Sequence, residues 1–331
     1  MNMPSPSKTL LEIRNLSVEY QSGHPVLDDV SLDVRHNEIV GLVGESGSGK
    51  STTLRSVVQL QMPARITAGR VFLSGQELTT LPRRQLRAIR GKDIGFIAQN
   101  PFDALNPVLR VRKQFENVVR AHRDLDKAEI RERASELLKS CGIADTDRVL
   151  DGYAHQLSGG MAQRTVIALA LSLDPRLLIA DEPTTALDLT VQRQVLDLTR
   201  SLVRQAQRSM LLVTHDLGVV ANYCDRVVVM YGGRIVEQGT VAVVFNAPRH
   251  PYTRALLGAA SGDTDGEWKR TAPPKMNRPQ VGCNFTHRCP RVQDICNEHR
   301  PETVRQAGDS LFSCHHPIVH KEVTSVVTPR G

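Results

Sequence analysis

Gly44-Glu45-Ser46-Gly47-Ser48-Gly49-Lys50-Ser51 follows Glu38-Ile39-Val40-Gly41-Leu42-Val43, a short and nearly all-apolar run, and the two together decide the fold. A glycine, four residues, a second glycine, Lys and Ser is the pattern of a phosphate-cradling loop, and here it leaves a candidate strand and opens a helical stretch. Glycines let backbone amides converge on phosphate oxygens, and the helix N-terminus adds partial positive charge. Lys50 can then reach the β and γ phosphates, and the Ser51 hydroxyl can ligate Mg²⁺. An apolar run without alternation reads as a strand buried on both faces, as in a parallel sheet.

Two further runs of that kind lie downstream, Leu177 to Ala180 and Met210 to Val213, each ending at a polar residue. Helical patterns precede both, over Gly160 to Leu173 and over Val191 to Gln207, so strands alternate with helices as in an α/β sheet covered on both faces. Leu10 to Val34 alternates apolar and polar residues about a turn-like Gln21-Ser22-Gly23-His24-Pro25, which predicts antiparallel strands. Asn106 to Tyr153 has helical periodicity without a strand candidate and predicts a helical subdomain, about 100–165, inserted into the sheet. Arg226 to Gly239 reads as a hairpin about Gly232-Gly233. From about Ser261 the chain turns rich in Pro, Gly, Cys and His. The expected division is therefore an α/β domain over 1–260 and a small Cys-rich extension over 261–331.

The 331 residues suit two domains, and 40% hydrophobic with 23% charged residues excludes wholesale disorder. No window approaches the roughly 18 apolar residues of a spanning helix, and Met1 to Glu19 lacks the apolar core of a signal peptide, so a cytoplasmic location is expected. The formal charge is +7, and from Thr240 onward 12 basic residues face 8 acidic ones, so that stretch holds +4 of the excess and the larger remainder is close to neutral. That is weak footing for a DNA-binding surface.

Asp181-Glu182 ends the run Leu177 to Ala180, at the strand edge where open α/β sheets bind ligands. Asp181 is placed to hold Mg²⁺, and Glu182 to orient or deprotonate an attacking water, so the site reads as hydrolytic. Leu157-Ser158-Gly159-Gly160-Met161-Ala162-Gln163-Arg164 then offers a hydroxyl and free amides at the start of a helix, a second anion site. In this order and spacing the motifs resemble the ATP-binding cassette (ABC) family. The resemblance implies a RecA-like parallel core with an antiparallel β subdomain and an inserted helical subdomain. It also implies ATP and Mg²⁺ as ligands, with Ser158, Gly159, Gly160 and Gln163 reaching the nucleotide held by another subunit. Residue by residue, Tyr20 matches the aromatic stacked on adenine, Thr52 extends the phosphate loop, and Gln99 links nucleotide and Mg²⁺ to a transmembrane partner. Asp188 matches a dimer contact, and His215 the histidine that touches the γ-phosphate. For Tyr20, burial in its strand remains the alternative.

Gln99 to Pro107, His250 to Leu257 and the module from Gly282-Cys283-Asn284-Phe285 resemble one branch, the ATP-binding subunits of oligopeptide, dipeptide and nickel importers. The implied partners are a like or unlike second ATPase subunit, two membrane permease subunits and, indirectly, an extracytoplasmic solute-binding protein. The implied place is the cytoplasmic face of the membrane. A soluble ABC ATPase acting on nucleic acid through a zinc module is the alternative, disfavoured because the tail offers only Trp268, Phe285 and Phe312 to stack bases. Cys283, Cys289, Cys296 and Cys314 lack Cys-x-x-Cys spacing. Four thiolates in a loop-rich module suit a [4Fe–4S] cluster, in line with some members of the branch, and zinc is the alternative.

Overall fold

A computed structural model describes residues 9–20, 23–60, 63–185, 187–262, 281–306 and 309–320. Gln21 and Ser22 of the first turn, Ala186 and Trp268 lie outside the described residues. The chain divides into two compact units, Met1–Ile235 and Val236–Gly331.

In the first unit β1 (Thr9–Glu19) pairs antiparallel with β2 (Pro25–Arg35), as the alternation predicts. Next come β3 (Ile39–Val43), the phosphate-loop segment and α1 (Lys50–Val57). β4 (Arg65–Leu73) returns to pair with β1 and carries the two-residue β5 (Gln76–Glu77), which completes a sheet of order β2-β1-β4-β5. α2 (Arg83–Ile89) leads to β6 (Ile94–Ile97). Five helices follow before the next strand: α3 (Pro101–Ala104), α4 (Val111–Arg120), α5 (Lys127–Ser140), α6 (Thr146–Asp151) and α7 (Gly159–Leu171). β7 (Leu177–Asp181), α8 (Leu189–Gln205), β8 (Ser209–Val213), α9 (Leu217–Tyr223) and β9 (Arg226–Tyr231) complete the unit.

β9, β3, β8, β7 and β6 lie side by side in that order, all parallel. The expected helical insertion thus leaves one edge of the sheet after β6 and returns to the strand beside it. β3, β6, β7 and β8 each feed two cores, which explains why the runs are apolar throughout. Val40, Leu42, Leu177, Ile179, Leu211 and Val213 pack with β1, β2 and α1 on one face. Ile39, Leu178, Ala180, Met210 and Leu212 pack with the inserted helices, α8 and α9 on the other.

Local chemistry starts the helices where the sequence changes character. Asp126 and Glu129 form a capping box at α5, and Asp188 and Asp216 cap α8 and α9 through backbone amides. Asn100 caps α3, with Pro101 at its first position. Gly232 and Gly233 both have positive φ, 55° and 83°, as the predicted Gly-Gly turn requires.

In the second unit β10 (Arg234–Thr240), counted from Val236, pairs antiparallel through Glu237 and Gln238 with a later strand. α10 (Val241–Asn246), α11 (Pro251–Ser261) and α12 (Asp294–Glu298) precede β11 (Thr303–Gln306) and β12 (Ser310–Ser313), and β12 is the strand that meets β10. His250 caps α11, its Nδ1 accepting from the Tyr252 amide at 3.0 Å.

Candidate active site

Parallel strands deliver their C-terminal ends to one edge. Val213 stands opposite both Leu42 and Asp181, and Ala180 opposite Ile97, so Gly44, Gln99, Glu182 and His215 all emerge at that edge. The phosphate loop there is close-fitted. A Cβ on Gly44 (φ 155°) would overlap the Met230 carbonyl, and one on Gly49 (φ 104°) would lie 2.6 Å from Leu27 Cδ2, so both positions need glycine. Lys50 opens α1 and is buried, with Nζ donating to the carbonyls of Gly44 at 2.8 Å and Glu45 at 3.0 Å. Burial lowers its pKa, against the opposing pull of Glu182, Asp181 and Glu45. Ser51 Oγ donates to Asp181 Oδ1 at 2.9 Å, and burial raises the Asp181 pKa despite that bond. Ser48 Oγ is buried without a hydrogen-bond partner among the described residues. A cradle that a Cβ would fill, an orphaned hydroxyl and a cation held only by carbonyls fit phosphate oxygens, and the Ser51–Asp181 pair fits a hard divalent cation.

Glu182 follows with a left-handed backbone, φ 46°, its amide donating to Val213 O at 2.9 Å. Its Oε2 gathers three neighbours: Gln99 Nε2 at 3.1 Å, Thr185 Oγ1 at 3.1 Å and His215 Nδ1 at 3.2 Å. Gln99 and His215 were expected near the phosphates, and here both meet the carboxylate. Thr185 was not expected. Its sequence signal is only a hydroxyl three residues after the glutamate, and the turn at Glu182 is what makes that spacing reach.

Ser158 caps α7, its hydroxyl accepting from the Met161 amide at 3.3 Å. Cβ atoms on Gly160 and Gly159 would stand 2.8 Å from Val191 Cγ1 and 3.4 Å from Leu187 Cδ2, so the glycines bring the start of α7 close to the start of α8. Gln163 is fully buried, and neither its Oε1 nor its Nε2 has a partner among the described residues. No hydrogen bond among those residues joins Ser158, Gly159, Gly160 or Gln163 to the phosphate loop of the same chain. Asp188 accepts from Val191 N at 3.0 Å as the α8 cap. Tyr20 is 40% exposed at the end of β1, so its strand does not bury it. Thr52 lies in the first turn of α1.

The tail cysteines come within electrostatic reach of one another. Cys289 is pushed up to about 11 and Cys314 to about 12, mainly by burial, with the neighbouring thiols adding to the shift. Cys283 N donates to Cys296 O at 2.8 Å. Yet among the described residues no group of three or more His, Cys, Asp or Glu is placed to hold a metal ion. The expected [4Fe–4S] or zinc centre therefore gains no support, because the thiols approach without closing into a ligand set.

A profile described as ABC transporter matches residues 27–185, and one described as Oligopeptide/dipeptide transporter, C-terminal region, matches 236–296, starting where the second compact unit starts. A probable peptide ABC transporter ATP-binding protein of Sinorhizobium fredii is 42% identical over 91% of this chain and 93% of its own length. The oligopeptide transport ATP-binding protein AppD of Bacillus subtilis is 42% identical over 92% and 96%, and OppD of Salmonella typhimurium 39% over 95% and 96%. Among solved structures, the post-hydrolysis dimer of the ATP-binding cassette MJ0796 with ADP and Pi aligns with TM-score 0.63 at 30% identity, over 70% of this chain and 99% of that one.

Proposed function

The chain belongs to the ABC transporter family, among the ATP-binding subunits of peptide transport, and we propose that it hydrolyses ATP between two cassettes to drive peptide import through a membrane permease. The observation that carries the reading is the convergence of Lys50, Ser51, Asp181 and Glu182 at one sheet edge. Relatives named for peptide transport along nearly the whole length lend the nucleic-acid alternative no support.

In this reading ATP replaces the Gly44 and Glu45 carbonyls at Lys50 Nζ, and the amides of Gly47, Ser48 and Gly49 take the β-phosphate. Ser51, Gln99 and, directly or through water, Asp181 would hold Mg²⁺, which would supply screening of the phosphate charge. Glu182 accepts the proton of the attacking water, and His215 donates to the γ-phosphate. Tyr20, exposed at the rim, stacks on adenine. Ser158, Gly159 and Gly160 serve the nucleotide of a second subunit, like or unlike, and Gln163 supports that segment. The division into a cassette over 1–260 and an extension over 261–331 stays part of the proposal, and no metal centre in the extension is included.

Among the described residues no helix is long and apolar enough to cross a membrane, so attachment at the cytoplasmic face falls to the permease subunits, which receive peptide from a solute-binding protein. A groove of about 230 Å³ lined by Leu60, Phe96, Ala104, Leu105, Val166 and neighbours supports a docking place beside α3. The test is reconstitution with the permease in liposomes. Glu182→Gln should retain ATP binding while hydrolysis and peptide uptake fall by about 10²- to 10⁴-fold, the usual worth of a general base. Near-normal hydrolysis would overturn the assignment.

A further inference from the structure

A cavity of about 510 Å³ opens among α4, α5 and α6, and none of its lining belongs to the phosphate-binding edge. Its size is that of small-molecule sites. Five cations line it: Arg110, Arg112, Lys113, Lys127 and Arg131. Its floor is apolar, with Ile130, Ala134 and Leu150 almost fully buried.

The surrounding carboxylates do not balance those cations. Asp151 alone serves three arginines, with Arg112 at 3.0 Å, Arg131 at 3.2 Å, and Arg110 donating to its backbone carbonyl at 2.9 Å. Arg131 also reaches Asp147 at 2.6 Å, and Lys113 pairs with Glu116 at 3.0 Å. Lys127 has no carboxylate within ion-pair distance among the described residues. One carboxylate offers about four acceptor sites, whereas each guanidinium carries about five N–H donors, so the arginines keep unused donors. Counting Asp147, Asp151 and Glu116 against the five cations leaves two positive charges unmatched.

We propose that this cavity binds a small phosphorylated amphiphile, its phosphoryl group against Arg110, Arg112 and Lys127 and its apolar body over Ile130, Ala134 and Leu150. A phosphate monoester carries about −1.5 to −2 at neutral pH, which matches the surplus, and guanidinium pairs with phosphate in bidentate fashion. The same chemistry is presented by a soluble alkyl or metabolite phosphate and by a phosphatidate headgroup. The site is separate from the nucleotide edge and does not depend on the reading of that edge.

The full chain, with its nucleotide site saturated by Mg-ADP, is titrated calorimetrically with hexyl phosphate and separately cosedimented with phosphatidylcholine vesicles containing phosphatidate. Wild type should bind at least one probe, with affinity falling as salt rises. Hexyl phosphate alone would mark a soluble ligand, vesicles alone a lipid headgroup, and either supports the site. Arg110→Gln with Lys127→Gln leaves the Arg112, Arg131 and Lys113 ion pairs in place. It should weaken binding about tenfold or more while basal ATPase stays unchanged, and Arg110→Lys with Lys127→Arg should retain binding. Binding of neither probe by wild type, or equal binding by the glutamine variant, overturns the proposal and leaves the cations as braces between helices.

Discussion

Glu182 presents one carboxylate oxygen to three side chains, and the least obvious of them is the most informative. Thr185 touches Oε2 at 3.1 Å and the Glu182 carbonyl at 3.3 Å, so it fixes the carboxylate relative to its own backbone. A hydrogen bond to a charged group changes an equilibrium by about tenfold or more. Thr185→Val, close in shape but without the donor, should lower kcat about tenfold with KM for ATP unchanged, and Thr185→Ser should restore it. A parallel change in KM, or no rescue by Ser, would assign Thr185 a purely structural role. The placement of the phosphate loop, Asp181 and Glu182 at one edge was legible in the sequence because each directly follows a short apolar run that reads as a buried strand, whereas His215 entered only through the family resemblance. Thr185 was not legible, since its reach depends on the positive φ at Glu182, a backbone choice that a Glu does not advertise.

At the scale of an element, α3 separates two residues that sequence alone treats alike. Phe102 is 42% exposed, whereas Leu105, just past the helix, is 2% exposed within the core of the inserted helices. The sequence does not separate them, because a single turn is too short for its apolar spacing to declare a face. Leu105→Asp should cost several kcal/mol and lower the thermal midpoint of the cassette, since it buries an unpaired charge. Phe102→Asp should leave the midpoint and basal hydrolysis intact and reduce peptide uptake, and undiminished uptake would move the docking surface elsewhere. The cap of α11 carries a pH dependence of its own. His250 is fully enclosed, which depresses its pKa from 6.5 to about 3, and the cap needs its Nδ1 unprotonated. The unfolded chain takes up a proton that the folded one refuses, so this contribution is complete above pH 6.5 and is lost as pH falls towards 3, by about 1.4 kcal/mol per pH unit. Glu237, whose pKa burial raises, acts in the opposite sense. His250→Asn retains a capping oxygen and should flatten the acid limb of unfolding; an unchanged limb would remove His250 from the account.

Across the whole molecule, no hydrogen bond among the described residues joins the edge holding Lys50 to the α7 start holding Ser158, and in the proposed reading a head-to-tail pair completes the site. Mixing a Lys50→Ala chain with a Ser158→Ala chain should recover part of the hydrolysis if like chains pair, since one mixed site is then fully native; no recovery at any ratio would indicate an unlike partner. The order of the parallel strands has a further consequence, for folding. Ser51 meets Asp181 across 130 residues of chain, and Gln99 meets Glu182 across 83. Parallel neighbours of such separation pair slowly, because loop closure must precede any reward from contact. During synthesis, a nascent chain that stops short of β8 lacks the strand against which Asp181 and Leu42 are aligned. Nucleotide affinity is therefore a property of the finished cassette, acquired late, and by mass action ATP in the cell draws the newly made chain towards its completed form.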